Sequence, residues 1–367
     1  MKRIVGSLLV LSVPLAGCAV GGETPPPDPV GKTEMAVTKG TLVSSGSPLG
    51  ASTVNIEAVP LSGPHVGCTG VIIGPRHVLT AAHCTMALRP LTGQYSSVPF
   101  IGAGAQVSFY SGPSQIAAKR TVTKVTFAPG LDVAGLQALD IISHDDSIVT
   151  SGGDYADIAL LTLDADIPSG TVPAFLPLSY PGNNVKGYMV GAGNIDNCDP
   201  IWDCETGKPN PGSQLRYIHS PTYSSNNNDG SFLVESANLN SGDSGGPFYI
   251  YNNGHPMVHG IASHYAWEWA LHAKYTSVET HLSWILAAID YDGDMIVKQN
   301  AVTGGSTYNI FFDFPNTDWR RCAVACAQDS ACGNFSYIAG QCFMKDGWWG
   351  PRVTSNGWVS AAKPIHF

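Results

Sequence analysis

Three residues of the types that together cleave acyl bonds are spread along this 367-residue chain. Ser244 sits in Gly242-Asp243-Ser244-Gly245-Gly246-Pro247, His83 in Leu79-Thr80-Ala81-Ala82-His83-Cys84, and Asp157 precedes the apolar run Ile158-Ala159-Leu160-Leu161. A serine hydroxyl is a weak nucleophile at neutral pH. A neutral imidazole must therefore take its proton during attack and return it to the leaving group. A carboxylate behind the imidazole fixes the tautomer and stabilises the imidazolium that forms. In this reading Ser244 is the nucleophile, His83 the base and Asp157 the orienting acid. The glycines beside Ser244 permit a sharp turn that aims the N–H groups of Gly242 and Ser244 at one point. Such an oxyanion hole stabilises the transition state by roughly 3 kcal/mol per donor.

Each assignment has rivals. Asp145, Asp146 and Asp154 lie near Asp157. Asp157 is preferred because the apolar run after it reads as a buried strand whose start would hold an acid at the edge of the core. His144 is a rival base. Gly-Asp-Ser-Gly-Gly alone has the composition of a β-turn. It also fits the Gly-x-Ser-x-Gly elbow of α/β-hydrolases, in which the acid and the histidine follow the serine; Asp290, His264, His272 and His281 are available for that esterase reading. The elbow leads into a helix, which Pro247 would interrupt, and it leaves the phrase around His83 without a purpose.

The elements that must position these residues are short strands. From about Leu42 to Asp290 the chain has runs rich in Val, Ile, Thr and Tyr, such as Val71–Ile73 and Met257–Ala262, punctuated by Gly, Pro and Asn. That spacing predicts an antiparallel barrel or sandwich. Leu282, Ile285, Leu286 and Ile289 fall at helical spacing and predict a packed helix over about His281–Ile289.

With the order His, Asp, Ser and these local phrases, the region 42–290 resembles the chymotrypsin/trypsin-like serine protease family. Val190-Gly191-Ala192-Gly193, Tyr275-Thr276-Ser277-Val278 and Trp284-Ile285 extend the likeness. The resemblance implies an all-β fold of two packed six-stranded antiparallel barrels with the site in the cleft between them. It implies a serine endopeptidase acting on protein or peptide substrates, with no metal and no organic cofactor. His144 matches a histidine that precedes the acid without joining the chemistry. Cys68 and Cys84 match a disulfide beside the catalytic histidine, and a loop of that length contributes roughly 3 kcal/mol. Asn240 stands where a further bridge usually begins. Asn238 would floor the substrate pocket without a charge for Lys or Arg. Ser263, His264 and Tyr265 would form its edge strand, with Tyr265 in place of the usual glycine, favouring small or medium apolar side chains. Asp243 would receive the amino group of a freshly cut N-terminus, matched by spacing to Leu42–Gly46, with Lys39 as the cleavage site.

The N-terminus addresses location. Met1-Lys2-Arg3 and the apolar run Ile4–Leu15, too short to span a bilayer, read as a secretory signal. Leu15-Ala16-Gly17-Cys18 resembles the lipobox of bacterial lipoproteins, which implies cleavage before Cys18 and acylation of its sulfur. There are nine cysteines, and giving Cys18 to lipid leaves eight to pair in an oxidising compartment. A plain secretory signal cut elsewhere is the alternative. Several acyl chains would anchor the protein stably; Ala19 does not suggest retention at the inner membrane, so the expected place is the outer membrane or cell surface. Residues 18–41, with Pro25-Pro26-Pro27, read as a tether or propeptide. Without Lys2 and Arg3 the chain has 17 basic against 28 acidic residues, a net charge of about -11, which disfavours nucleic acid and anionic lipid as partners. Contact with a membrane would be through the lipid alone.

Cys198 and Cys204 bracket a short loop with Trp202 and are expected to pair locally. Past a linker at 291–302, residues 303–367 differ in character. Cys322-x3-Cys326-x5-Cys332, then Phe335, Tyr337 and Cys342-Phe343-Met344-Lys345, resemble the PAN/apple domain, with Asn309–Phe314 as an early strand. Cys322 and Cys326 would share one helix face. The family pattern implies Cys322 with Cys342 and Cys326 with Cys332, staples that so small a domain needs. A four-cysteine zinc site is the competing reading. Trp348, Trp349 and Trp358 would either bind protein or glycan or fill the small core. A second reading of the whole chain is a binding protein on an inactive protease scaffold.

Overall fold

The computed structural model of the chain describes residues 37, 40–57, 67–85, 103–112, 115–131, 156–193, 214–224, 230–235, 239, 242–252, 254–266, 272–289, 296–299, 301–312, 319–353 and 359–362. A short strand β1 (Thr41–Leu42) and a helical turn α1 (Pro48–Ser52) lead into a closed barrel. Its strands are β2 (Thr53–Glu57), β3 (Gly67–Gly74), β4 (His77–Thr80), β5 (Gln106–Gly112), β6 (Gln115–Phe127) and β7 (Ala159–Leu163), all antiparallel, in the order β2-β3-β4-β7-β6-β5. The apolar run Val71–Ile73 lies in the middle of β3, which is buried along nearly its whole length. A barrel strand that also faces a second barrel is covered on both sides, so it reads as a continuous apolar run rather than an alternation. β6 has one buried residue, Val122, and is otherwise exposed or half-buried.

The second barrel consists of β8 (Lys186–Gly191), β9 (Arg216–Ser224), β10 (Ser231–Glu235), β11 (Pro247–Asn252), β12 (His255–Ala266) and β13 (His272–Ser277). It closes through the pairings β8–β9 and β11–β8, and β1 adds to the outer edge of β9. The all-β fold of two six-stranded antiparallel barrels implied by the resemblance is therefore the observed one. Helix α2 (Leu282–Ala288) follows with Leu282, Ile285 and Leu286 fully buried, the apolar stripe its spacing dictates. Pro247 begins β11, so a strand follows the serine turn and the strand-to-helix elbow of an α/β-hydrolase is not formed.

The C-terminal region forms a separate sheet from β14 (Ile296–Gln299), β15 (Ala301–Phe312), β16 (Asn334–Ile338), β17 (Gln341–Val353) and β18 (Val359–Ala362), in the order β14-β18-β16-β17-β15. Helix α3 (Trp319–Gln328) packs on it through Cys322 and Cys326 beside Phe335, Cys342 and Met344. Disulfides join Cys322 to Cys342 and Cys326 to Cys332, so these sulfurs are not available as zinc thiolates. β14 and the start of β15 lie within the span 291–302 expected as a linker, and β15 begins well before Asn309.

This sheet is docked rather than hung from a tether. The Arg321 guanidinium donates to the Leu178 carbonyl and pairs with Glu279, each at 3.0 Å, and Gln328 Nε2 donates to the Leu176 carbonyl at 2.7 Å. Val324 of α3 belongs to the same apolar core as the barrels. Phe175, just before this contact, bridges to Met257 near the start of β12. Ser263, whose hydroxyl faces Asp157, lies six residues further along that strand, roughly 20 Å at the usual rise per residue.

Candidate active site

Strand register brings His83 and Asp157 together. β4 and β7 run antiparallel with Thr80 opposite Ala159. The chain leaving β4 therefore passes the chain entering β7, and His83, on a 3-10 turn (His83–Thr85), meets Asp157. The His83 Nδ1–Asp157 Oδ2 distance is 2.8 Å, and the His83 backbone N–H donates to the other carboxylate oxygen at 2.9 Å. The Ser263 hydroxyl also donates to Asp157 Oδ2, and the Thr276 hydroxyl donates to its backbone carbonyl at 3.0 Å. Both come from the second barrel, so Asp157 is held from two sides, at its carboxylate by Ser263 and at its backbone by Thr276. A disulfide from Cys68 on β3 to Cys84 anchors the turn, with Cα atoms 6.3 Å apart.

The Asp157 side chain is fully buried and the His83 ring about one-fifth exposed, at 0% and 21%. Burial alone would raise the Asp157 pKa. The charge of the His83 ring and the hydrogen bonds from His83 and Ser263 outweigh it and push the pKa down to about 2. For His83, burial favours the neutral ring, but the carboxylate beside it prevails and raises its pKa above 6.5. The arrangement orients an imidazole with one nitrogen fixed on a carboxylate and stabilises that ring when it takes a proton.

Ser244 belongs to the turn entering β11. Gly242 and Gly245 have φ of 98° and 81°, values that a side chain disfavours. A Cβ on Gly245 would lie 2.1 Å from Thr80 Oγ1 and 2.3 Å from the Thr69 carbonyl, so only glycine lets the turn press against β3 and β4. The Thr69 N–H donates to the Ser244 carbonyl at 2.8 Å, tying the two barrels together at the residue expected as nucleophile. Among the described residues no hydrogen bond joins the Ser244 hydroxyl to the His83 ring; His83 Nε2 lies 3.9 Å from the Cys84 sulfur. Asp243 is fully buried, and its Oδ1 accepts the Gly193 N–H at 2.8 Å.

Other expected site residues fall differently. Ser263, expected in the edge strand of the pocket, lies on β12 with its hydroxyl on Asp157. His264 and Tyr265 continue β12 opposite Lys274 and Ala273, and their side chains lie outside the description. Asn238, Asn240, Cys18, Lys39, His144, Asp145, Asp146, Asp154, Cys198, Trp202, Cys204, Asp290 and Trp358 lie outside the described residues. Leu42, the residue matched to a new N-terminus, is 42% exposed and pairs with Arg216 on the edge of the second barrel. Val43 of the same segment is buried at 2%, and upstream Val37 is buried at 3% in a cluster with Met189, Leu239 and Phe248. Strand β1 covers only Thr41–Leu42, the first residue of the matched segment and the one before it. The Ser263 and Thr276 hydroxyls on Asp157 were missed; no periodicity signals them, since their partner is 106 or more residues away.

Two packed antiparallel barrels with a buried carboxylate on a histidine define the class of two-barrel, trypsin-like folds. The family model described as Trypsin matches residues 55–285, and the chain belongs to the trypsin family. Among solved structures the chain is similar to one described as "Structure of GrC", at 18% identity and a TM-score of 0.48, over 69% of this chain and 99% of that one. It is also similar to the scabies mite inactivated protease paralogue S-I1, at 17% identity and a TM-score of 0.47, over 68% of this chain and 99% of the other. A search of curated proteins finds no match to the sequence.

Proposed function

We propose that the protein is an exported serine endopeptidase that cuts peptide bonds through an acyl-enzyme on Ser244. His83 is the general base and acid, Asp157 its orienting carboxylate, and the N–H groups of Gly242 and Ser244 receive the oxyanion. The observation that carries this reading is the bidentate hold of Asp157 on the His83 ring and backbone, beside the glycine turn that presents Ser244. Membership of the trypsin family supports protein substrates. The Ser244 hydroxyl closes onto His83 Nε2 when substrate fills the cleft, as catalytic hydrogen bonds often tighten only in the complex.

Activation fits a cut before Val37 rather than after Lys39. Val37 is buried, and Leu239, which shares its apolar cluster, lies four residues before Asp243. A freed Val37 amine would then meet the Asp243 carboxylate. N-terminal sequencing of the active form checks this: a start at Leu42 or Gly40 overturns it. The lipobox-like Leu15–Cys18 supports anchoring by lipid at the outer membrane or cell surface, and the C-terminal sheet with its two disulfides is proposed as a PAN/apple-like module for protein or glycan.

A fluorophosphonate probe on the purified chain tests the chemistry. A single adduct on Ser244, absent from Ser244→Ala and His83→Ala, together with peptide turnover supports the reading. Absence of any adduct, even after limited proteolysis, replaces it with a binding protein on a silent protease scaffold. An adduct with ester turnover and no peptide cleavage replaces it with an esterase.

A further inference from the structure

We propose that the Thr69 hydroxyl is a positioning group for the oxyanion hole, reaching from the first barrel to hold the backbone of the second in the conformation that stabilises the transition state. This rests on the serine endopeptidase reading and names a residue that neither the sequence motifs nor the triad logic singles out.

Thr69 is fully buried on β3, and its hydroxyl and N–H both serve this junction. Its Oγ1 donates to the Gly242 carbonyl at 2.8 Å and accepts the Ala192 N–H at 3.0 Å. Its own N–H donates to the Ser244 carbonyl at 2.8 Å, and its carbonyl accepts the Thr80 hydroxyl at 2.9 Å. Within the turn the Asp243 carbonyl is taken by the Gly246 N–H at 2.9 Å. The carbonyls of Gly242, Asp243 and Ser244 are thus all engaged, two of them by Thr69.

This matters because the C=O and N–H of one planar peptide point in opposite directions. Holding the Asp243 carbonyl aims the Ser244 N–H the other way. Among the described residues no backbone group of the turn takes the Gly242 carbonyl in the same way. At φ of 98° it has no Cβ to restrict it, so the glycine that makes the turn possible also leaves its peptides free to rotate. The Thr69 hydroxyl supplies the restriction by pinning the Gly242 carbonyl and with it the Gly242–Asp243 peptide, the link between the Gly242 N–H and the Ser244 N–H, and it does so from β3, a strand packed into the core of the first barrel. An oxyanion hole is effective only when its donors are already in place as charge develops. A hydroxyl is suited to the task because it donates and accepts at once, satisfying the Gly242 carbonyl and the Ala192 amide together.

The test is kinetic. Thr69→Val keeps the shape and removes both hydrogen bonds; Thr69→Ser keeps the hydroxyl. We expect Thr69→Val to lower kcat roughly 10- to 100-fold, less than the loss of a whole oxyanion donor, with KM and the acid limb of the pH profile unchanged. Thr69→Ser should restore kcat to within about threefold, and affinity for a peptide boronate should fall with kcat in the Val variant. An unchanged kcat in Thr69→Val overturns the proposal. So does a loss expressed in KM or in a displaced acid limb, which would place the effect on substrate binding or His83. If Thr69→Val does not fold, Thr69→Ala is read by the same criteria. If the wild-type chain itself shows no turnover, the endopeptidase reading fails and amide hydrogen exchange decides for Thr69. Faster exchange across 242–246 in the Val variant, but not in the Ser variant, supports the hold on the loop, and equal exchange in all three overturns it.

Discussion

The two halves of the candidate site are held by different physics. The His83–Asp157 half is electrostatic: a buried carboxylate, an imidazole on one of its oxygens, and hydroxyl donors from the opposite barrel. The Ser244 half is steric and backbone-driven: glycines at positive φ, a turn pressed onto Thr69 and Thr80, and carbonyls engaged by main chain and one hydroxyl. The first half should therefore respond to pH and to charge-removing substitutions, the second to added volume. Chemistry that needs a proton acceptor of tuned basicity and a rigid anion pocket gains from keeping the two controls separate.

The sharpest break is expected in the proposed nucleophile. Ser244→Ala should lower peptide turnover by roughly 10⁶-fold with an unchanged melting temperature, since its hydroxyl makes no hydrogen bond among the described residues; stopped assays and calorimetry on the same sample check both. Asp157→Asn comes next, with an expected loss of about 10⁴-fold because the imidazole loses its fixed tautomer. That loss should shrink at alkaline pH, while the loss in Ser244→Ala stays flat with pH.

The steric half is probed by Gly245→Ala. The added methyl meets Thr80 and the Thr69 carbonyl at distances no relaxed structure allows, and strain and overpacking together should cost about 3 kcal/mol. Urea unfolding measures this, and the effect should not vary between pH 5 and 8. A pH-dependent cost would blur the division between the halves.

The wild-type protein should itself show the electrostatic half in its pH dependence. The pKa of His83 is raised, so the His83 share of stability is fully present below pH 6.5 and is lost as pH rises through the folded value. Asp157 is lowered from 3.8 to about 2, so its share is present above 3.8 and lost as pH falls toward 2. The two shifts describe one interaction, which stabilises most between about pH 4 and 6.5. Turnover needs the neutral ring, so kcat/KM should fall as pH drops through a value above 6.5. Peak stability should thus lie at lower pH than peak activity, and coincident optima would contradict the assignment. The smallest effect belongs to the C-terminal dock: Arg321→Met should lower stability by about 2 kcal/mol and leave peptide turnover unchanged, because that contact is far along β12 from Ser263.

Much of the site was legible because its signals are local. Ser244 among glycines, His83 before Cys84 and the helix over 281–289 each depend on neighbours within a few positions, where backbone geometry and side-chain period act directly. Asp157 was legible only through the apolar run after it; its burial and hydroxyl donors come from strands over 100 residues away. The same limit explains why a linker was expected where β14 joins a sheet.

The sequence by itself determined the family, the residue types able to do acyl chemistry and the helix and strand content, since propensity, periodicity and turn chemistry act over a few residues. Only the tertiary structure decided which hydroxyls hold Asp157, that Thr69 bridges the barrels at the serine turn, and that the C-terminal sheet is clamped by Arg321 and Gln328. Those choices depend on barrel closure. A strand's alternation says which face is buried but not which distant residue will meet it there.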